Sequence, residues 1–227
     1  MLRICTPIAT RKISEIPFLI RRAENLGADL IEIRLDYLED LKGIEEIPKL
    51  SSKPMIVTNR QYEQGGFKPQ DEEERIKTLI DAAEAGFEYA DIELTTRNLR
   101  DVTLRLRKMG VKPIVSYHNF ENTPKPPDLE IIVREEAEAG AEICKLVTMA
   151  RSIPDNVSCL LLTSKISKTF KIVCFAMGEL GVVSRALSPI FGAYFTYASI
   201  EREHETAPGQ ITITELRDLY RRLGVKV

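Results

Sequence analysis

Leu129-Glu-Ile-Ile-Val-Arg-Glu-Glu-Ala-Glu-Ala-Gly-Ala-Glu-Ile-Cys-Lys-Leu-Val-Thr-Met149 is the stretch on which the fold is decided. Its first half places Leu129, Ile132, Val133 and Ala137 on one side of a helix running over Leu129–Ala139. Gly140 then stops the helix, and Ile143–Met149 reads as a strand. The same punctuation of helix, glycine, short turn and strand returns at Asn25-Leu-Gly-Ala and Glu84-Ala-Gly-Phe. It follows the helical patterns Ile16–Leu26 and Glu72–Ala85. Strand-like runs occur at Arg3–Ala9, Leu30–Asp36, Pro54–Arg60, Tyr89–Leu94, Lys112–Asn119, Lys171–Met177 and Ala193–Ser199 as well. Their starts lie about 22 to 35 residues apart, the size of one βα unit. Asn156–Thr163 reads as helix, because Pro154-Asp155-Asn156 is a helix-start signal, and Thr214–Leu223 closes the chain with Thr214 as its N-cap. Eight strands alternating with helices predict an α/β fold, a compact (β/α)8 TIM barrel forming a single domain over residues 1–227. A doubly wound open sheet is the alternative, since periodicity alone does not show closure.

Composition bounds the function. The chain has 227 residues, a formal net charge of −2 and 44% hydrophobic residues. That charge offers no field for wrapping nucleic acid. No stretch approaches the roughly 20 apolar residues of a membrane helix. Met1–Thr10 is too short for a secretory signal, so a cytoplasmic location is expected. Cys5, Cys144, Cys159 and Cys174 form no CxxC pair and read as buried free thiols. His118 and His204 are isolated, and no metal site is expected. The absence of Trp and the 29% charged residues lean toward a heat-stable source.

In such barrels the active site forms at the C-terminal ends of the strands. The polar residues late in each predicted strand are Glu32, Arg34 and Asp36, then Thr58 and Arg60, then Asp91 and Glu93, then Ser116, His118 and Asn119, then Lys145. Met177 ends strand seven. Lys145 is flanked by apolar residues. It is either half of an ion pair with a neighbouring strand, such as with Glu93, or an amine that attacks a carbonyl to form a Schiff base. Val147 would share its side of the strand, with Cys144 on the other. His118, at the mouth of the adjacent strand, is either a hydrogen-bonded structural histidine or a general base within reach of Lys145. Arg34, Arg60 and Arg185 are anion candidates, each also readable as an ion pair. His204 reads as a solvated loop residue, and Ile200–Gln210 as a lid at the catalytic face.

Taken together these residues resemble the type I 3-dehydroquinate dehydratases, the Schiff-base dehydroquinases of the shikimate pathway. The motifs are Glu32-Ile-Arg34-Leu-Asp36, Thr58-Asn-Arg60 followed by Gly65-Gly66, Asp91-Ile-Glu93-Leu, Ser116-Tyr-His118-Asn-Phe, Lys145-Leu-Val-Thr-Met149, Met177-Gly-x-x-Gly-x-x-Ser184-Arg185 and Ala207-Pro-Gly-Gln210. The resemblance implies a barrel that needs no metal or organic cofactor and takes the small molecule 3-dehydroquinate. Lys145 would form the imine and His118 would donate and accept protons in a syn loss of water. Arg185 would bind the carboxylate. Glu32, Arg34, Arg60, Met177, Thr206 and Gln210 would complete the substrate site. Family members are often dimers, which makes a homodimer the expectation. The sequence departs from the family where Gln64 stands in place of the usual Glu before Gly65-Gly66, and where Thr206 replaces a frequent Ser. Two other readings compete: a class I aldolase barrel, which would show a glycine-rich phosphate loop after strands seven and eight, and a barrel kept as a non-catalytic binding module.

Overall fold

The structure, a computed structural model, describes residues 2–202, 207 and 209–225. Eight parallel strands form the inner wall: β1 Ile4–Ile8, β2 Leu30–Arg34, β3 Met55–Thr58, β4 Tyr89–Glu93, β5 Lys112–His118, β6 Ile143–Met149, β7 Ile172–Met177 and β8 Thr196–Tyr197. Among the described residues seven α-helices lie outside: α1 Ile16–Leu26, α2 Glu72–Ala83, α3 Leu99–Lys108, α4 Pro126–Glu138, α5 Ile153–Ile166, α6 Val182–Leu187 and α7 Ile213–Arg222. From β1 to β7 each strand pairs with the next in sequence, and β8 pairs with β1, leaving the seam between β7 and β8. A doubly wound sheet would reverse its order partway. Here the order is monotonic and wraps onto itself, so the fold is a nearly closed (β/α)8 barrel. At the seam, the Tyr194 main-chain N–H donates to the Ile172 carbonyl at 2.7 Å.

Local signals explain the elements. In α1, Ile16, Leu19, Ile20 and Ala23 are buried at helical spacing. Gly140, the stop read from the opening stretch, has φ +96°, a conformation that only glycine takes cheaply. Asp71 caps α2 by accepting from the Glu73 and Glu74 amides. The last helix is capped by Thr212, not Thr214, through a capping box with Glu215. Sequence reading passed over α3 and α6. In α3 five of the ten residues are Arg, Lys or Asp, which dilutes the apolar stripe, and α6 spans only six residues.

Two apolar layers result. Between strands and helices lie residues such as Ile31, Ile33, Ala90, Ile92 and Val115, together with Cys144, Leu146, Cys159 and Cys174 on the α4–α5 side. All four cysteines are buried and free. Inside the barrel sit Leu30, Ile56, Tyr89, Ile114, Ile143 and Val173. The strand period of two then points residues two and four positions further along into the mouth.

Candidate active site

That period delivers Glu32, Thr58, Asp91, Ser116 and Lys145 one layer above the floor, and Arg34, Arg60, Glu93 and His118 one layer higher. Strand register aligns Ser116 with Lys145 and His118 with Val147. Five cations (Arg34, Arg60, Arg75, Lys145 and Arg185) and four carboxylates (Glu32, Asp36, Asp91 and Glu93) are all buried there, none more than 7% exposed. Buried charges are tolerated only when paired and hydrogen-bonded.

The pairing is specific. Lys145 Nζ donates to Asp91 Oδ2 at 2.7 Å and to the Tyr197 hydroxyl at 3.0 Å. The ion pair that was one of the two sequence readings of Lys145 is present, with Asp91 and not Glu93 as its acid. Glu93 sits two residues nearer the mouth, where Arg60 Nη1 (2.8 Å) and Arg75 Nη1 (2.6 Å) hold it. Arg60 also reaches Asp91 Oδ2 at 2.8 Å and Ser116 Oγ at 2.7 Å, and Ser116 donates to Asp91 Oδ1 at 2.6 Å. Burial alone would push the Asp91 carboxyl up; Arg60 and Lys145 overcome it and hold Asp91 well below the usual carboxylate range. Arg34 grips Asp36 with two bonds of 2.9 and 2.7 Å. Thr58 Oγ1 donates to Glu32 at 2.5 Å.

His118 is different. Its ring Nδ1 is buried and has no hydrogen-bond partner among the described residues. Burial, then the positive charges of Arg60 and Lys145, hold its pKa well below the ordinary histidine value. This environment favours the neutral imidazole, the form that can accept a proton. Gln64 Oε1 accepts from the His118 main-chain N–H at 2.8 Å. The glycines beside it make this loop possible, since a Cβ on Gly66 would collide with the Arg60 carbonyl.

Glu32, Arg34, Arg60, His118, Lys145, Met177, Arg185 and Gln210 all line one cavity of about 90 Å³. Val147 lines it too, while Cys144 faces the helices, as the strand reading expected. Arg185 lies on α6, its guanidinium 4.3 Å above the Phe175 ring. Thr206 and His204 lie outside the described residues, as does much of the loop that reads as a lid. Among the described residues, no cluster of three or more His, Cys, Asp or Glu side chains could hold a metal ion. No helix among them is long and apolar enough to cross a membrane.

Sequence reading missed Arg75, Tyr197 and the Gln64 contact. Arg75 carried a legible signal: it falls on the buried stripe of α2 with Leu79, Ala82 and Ala83, where an arginine needs a partner. Tyr197 carried none, because an aromatic residue in a strand is ordinary core.

Fold and site define the class: a (β/α)8 barrel whose sixth strand carries a buried amine into a small, charged cavity. The family model described as type I 3-dehydroquinase matches residues 4–227. A 3-dehydroquinate dehydratase of Dehalococcoides mccartyi is 40% identical over 209 residues, covering 92% of each chain. The crystal structure of 3-dehydroquinate dehydratase from Geobacillus kaustophilus superposes with a TM-score of 0.91 at 25% identity, covering 99% of this chain and 91% of that one. A type I 3-dehydroquinate dehydratase from Clostridium difficile, solved with covalently modified comenic acid, gives 0.86 at 26% identity over 98% and 92% of the two chains. The chain belongs to the type I 3-dehydroquinase family.

Proposed function

We propose that this chain is a 3-dehydroquinate dehydratase of the shikimate pathway, a hydro-lyase acting through an imine on Lys145. The observation that carries the reading is the buried Lys145 amine on the cavity wall, one layer below His118, whose Nδ1 has no hydrogen-bond partner among the described residues. Before attack on the C3 ketone one Nζ proton passes to His118, which returns it to the carbinolamine hydroxyl as that hydroxyl leaves as water. Attack and loss of water give an iminium, which draws electrons from C2 and makes that C–H acidic. His118 takes the C2 proton, the electrons form an enamine, and the C1 hydroxyl leaves as water with the proton His118 returns. Water then hydrolyses the imine and frees 3-dehydroshikimate. The iminium is itself the electron sink, so the sequence of steps calls on no metal or organic cofactor.

Arg185 takes the substrate carboxylate, with Arg34, Glu32 and Gln210 on the ring hydroxyls, Met177 against the ring and Thr206 from the last loop. The cavity wall supports an anionic substrate: Arg34, Arg60, Lys145 and Arg185 line it against one carboxylate, Glu32. Arg60 is held by Asp91, Glu93 and Ser116. We assign it to fixing that network and biasing His118, not to gripping substrate. The covalently modified comenic acid in the Clostridium difficile relative supports covalent chemistry. We further read residues 1–227 as one domain, working as a cytoplasmic homodimer. The test is incubation with 3-dehydroquinate and borohydride, followed by digestion and mass analysis. A reduced adduct on Lys145 is expected; an adduct elsewhere, or none, overturns the mechanism.

A further inference from the structure

Imine formation takes two protons off the Lys145 ammonium and puts both on the oxygen that leaves C3 as water, because the ammonium carries three hydrogens and the iminium nitrogen one. His118 carries the first. The second leaves nitrogen after the N–C3 bond has formed, when Nζ is positive and the former carbonyl oxygen negative. Among the described residues two groups accept a hydrogen bond from Nζ: Asp91 Oδ2 at 2.7 Å and the Tyr197 hydroxyl at 3.0 Å. Asp91 is a poor carrier. Arg60 and Ser116 already bond it, and the flanking cations hold it well below the usual carboxylate range. An ionised carboxylate also has no hydrogen to give in exchange.

Tyr197 has what Asp91 lacks. A phenol accepts through a lone pair and donates through its O–H at the same moment, so it passes a proton on without becoming an ion. Avoiding the ion is necessary at this depth: burial, then the charge of Glu32, pushes the Tyr197 pKa well above the ordinary tyrosine value. The residue lines the same cavity as Lys145 and His118. Its ring is packed edge-on by Phe195 at 5.4 Å and by Phe175 at 6.3 Å, which holds the hydroxyl in place. Nζ lies 4.5 Å from the ring centre, a favourable position for the positive charge that the iminium keeps. The other neighbour of the hydroxyl is the buried Cys5 thiol, a weak acceptor from which the O–H turns away at little cost.

We propose that Tyr197 is a catalytic residue that relays the second proton of imine formation. Its oxygen takes the N–H proton while its own O–H proton passes to the alkoxide on C3, which regenerates the phenol. The hydroxyl so formed leaves as water with the proton from His118, and the lone pair freed on nitrogen becomes the second bond of C=N. The inference rests on the imine reading above. Rapid mixing with 3-dehydroquinate, followed by borohydride quenching at timed intervals, tests it. In Tyr197→Phe, which keeps the ring and its packing, the adduct on Lys145 is expected to form about 100-fold more slowly, as for loss of one general acid–base group, with circular dichroism unchanged. A second measurement needs no variant and decides alone if that one does not fold. The wild-type rate of adduct formation, plotted against the deuterium fraction of the solvent, should curve, because the relay moves two protons in one step. A wild type that forms no adduct on Lys145 overturns the imine reading and this inference with it. A wild-type adduct that forms as fast in Tyr197→Phe, or a straight-line dependence on deuterium, overturns only the role of Tyr197.

Discussion

Six strands contribute an apolar or aromatic side chain to the barrel floor, and two residues later five of those six contribute a polar one. The floor residues Leu30, Ile56, Tyr89, Ile114, Ile143 and Val173 are each 3% exposed or less and touch one another. Directly above them, Glu32, Thr58, Asp91, Ser116 and Lys145 are as deeply buried, yet every one holds a polar partner. Burial at the floor stabilises, at roughly 1.5–3 kcal/mol per large aliphatic side chain. Burial at the mouth works against the fold, offset there by short charge-assisted bonds. One repeating pattern thus builds a scaffold at one end and stores poised charge at the other. The two ends should respond to substitution in opposite ways.

The largest contrast comes from Lys145→Ala. Turnover is expected to fall by about 10⁶-fold, as for loss of a covalent nucleophile. The fold should survive, because Asp91 keeps Arg60 and Ser116. Steady-state kinetics with a denaturant melt check both, and an unfolded variant would make Lys145 a structural residue. His118→Ala is expected to lower turnover by roughly 10²–10⁴-fold while borohydride still traps the imine. Normal turnover would remove His118 from the base role. At the floor the signs reverse: Ile114→Ala should destabilise by about 2–5 kcal/mol and leave kcat of the folded fraction unchanged. A kcat loss without a stability loss would break the division between the ends.

What the sequence made legible follows the same division. All eight strands could be read, because each is a short apolar run bounded by turn residues; Ile143–Met149 matched to the residue. Closure could not, since whether β8 meets β1 depends on accumulated twist and stagger that no single window contains. At the mouth, residue types in late-strand positions located the cavity, but not its wiring. Asp91 and Glu93 are alternate residues on one strand and equally acidic. Only the height at which Lys145 and Arg75 arrive decides which acid each meets. The buried charges Arg75 and Glu136 lie on the apolar stripes of the outer helices α2 and α4; sequence reading passed over both, although each is an exception to its stripe.

Glu136 gives a smaller effect, on stability and in neither end. Neither of its oxygens has a hydrogen-bond partner among the described residues. Burial, then the nearby charge of Asp91, pushes its pKa well above the usual carboxylate value. The folded protein therefore keeps this acid protonated while the unfolded chain releases the proton above about pH 4.3. Stability falls by up to about 1.4 kcal/mol per pH unit from there until the buried acid ionises. Glu136→Gln removes the proton but keeps the shape. Its thermal midpoint should match the wild type near pH 4 and rise above it progressively toward neutral pH. A difference independent of pH would show that ionisation of Glu136 is not its source.

The smallest effect tests how the mouth sets its own base. Gln64 holds the His118 main chain through Oε1, so Gln64→Glu keeps the acceptor and adds one negative charge beside a buried imidazole. An adjacent carboxylate favours imidazolium, opposing the burial and the Arg60 and Lys145 charges that now depress the His118 pKa. The pKa should rise by about one unit, equivalent to about 1.4 kcal/mol. Because the base must be neutral to take a proton, the acid limb of the kcat profile should move to higher pH by the same amount. Imidazole NMR titration in the two proteins checks the shift directly. An unmoved limb would mean that Gln64 serves only to clamp the backbone, leaving burial and the surrounding charges of Arg60, Lys145, Asp91 and Arg34 to set the His118 pKa.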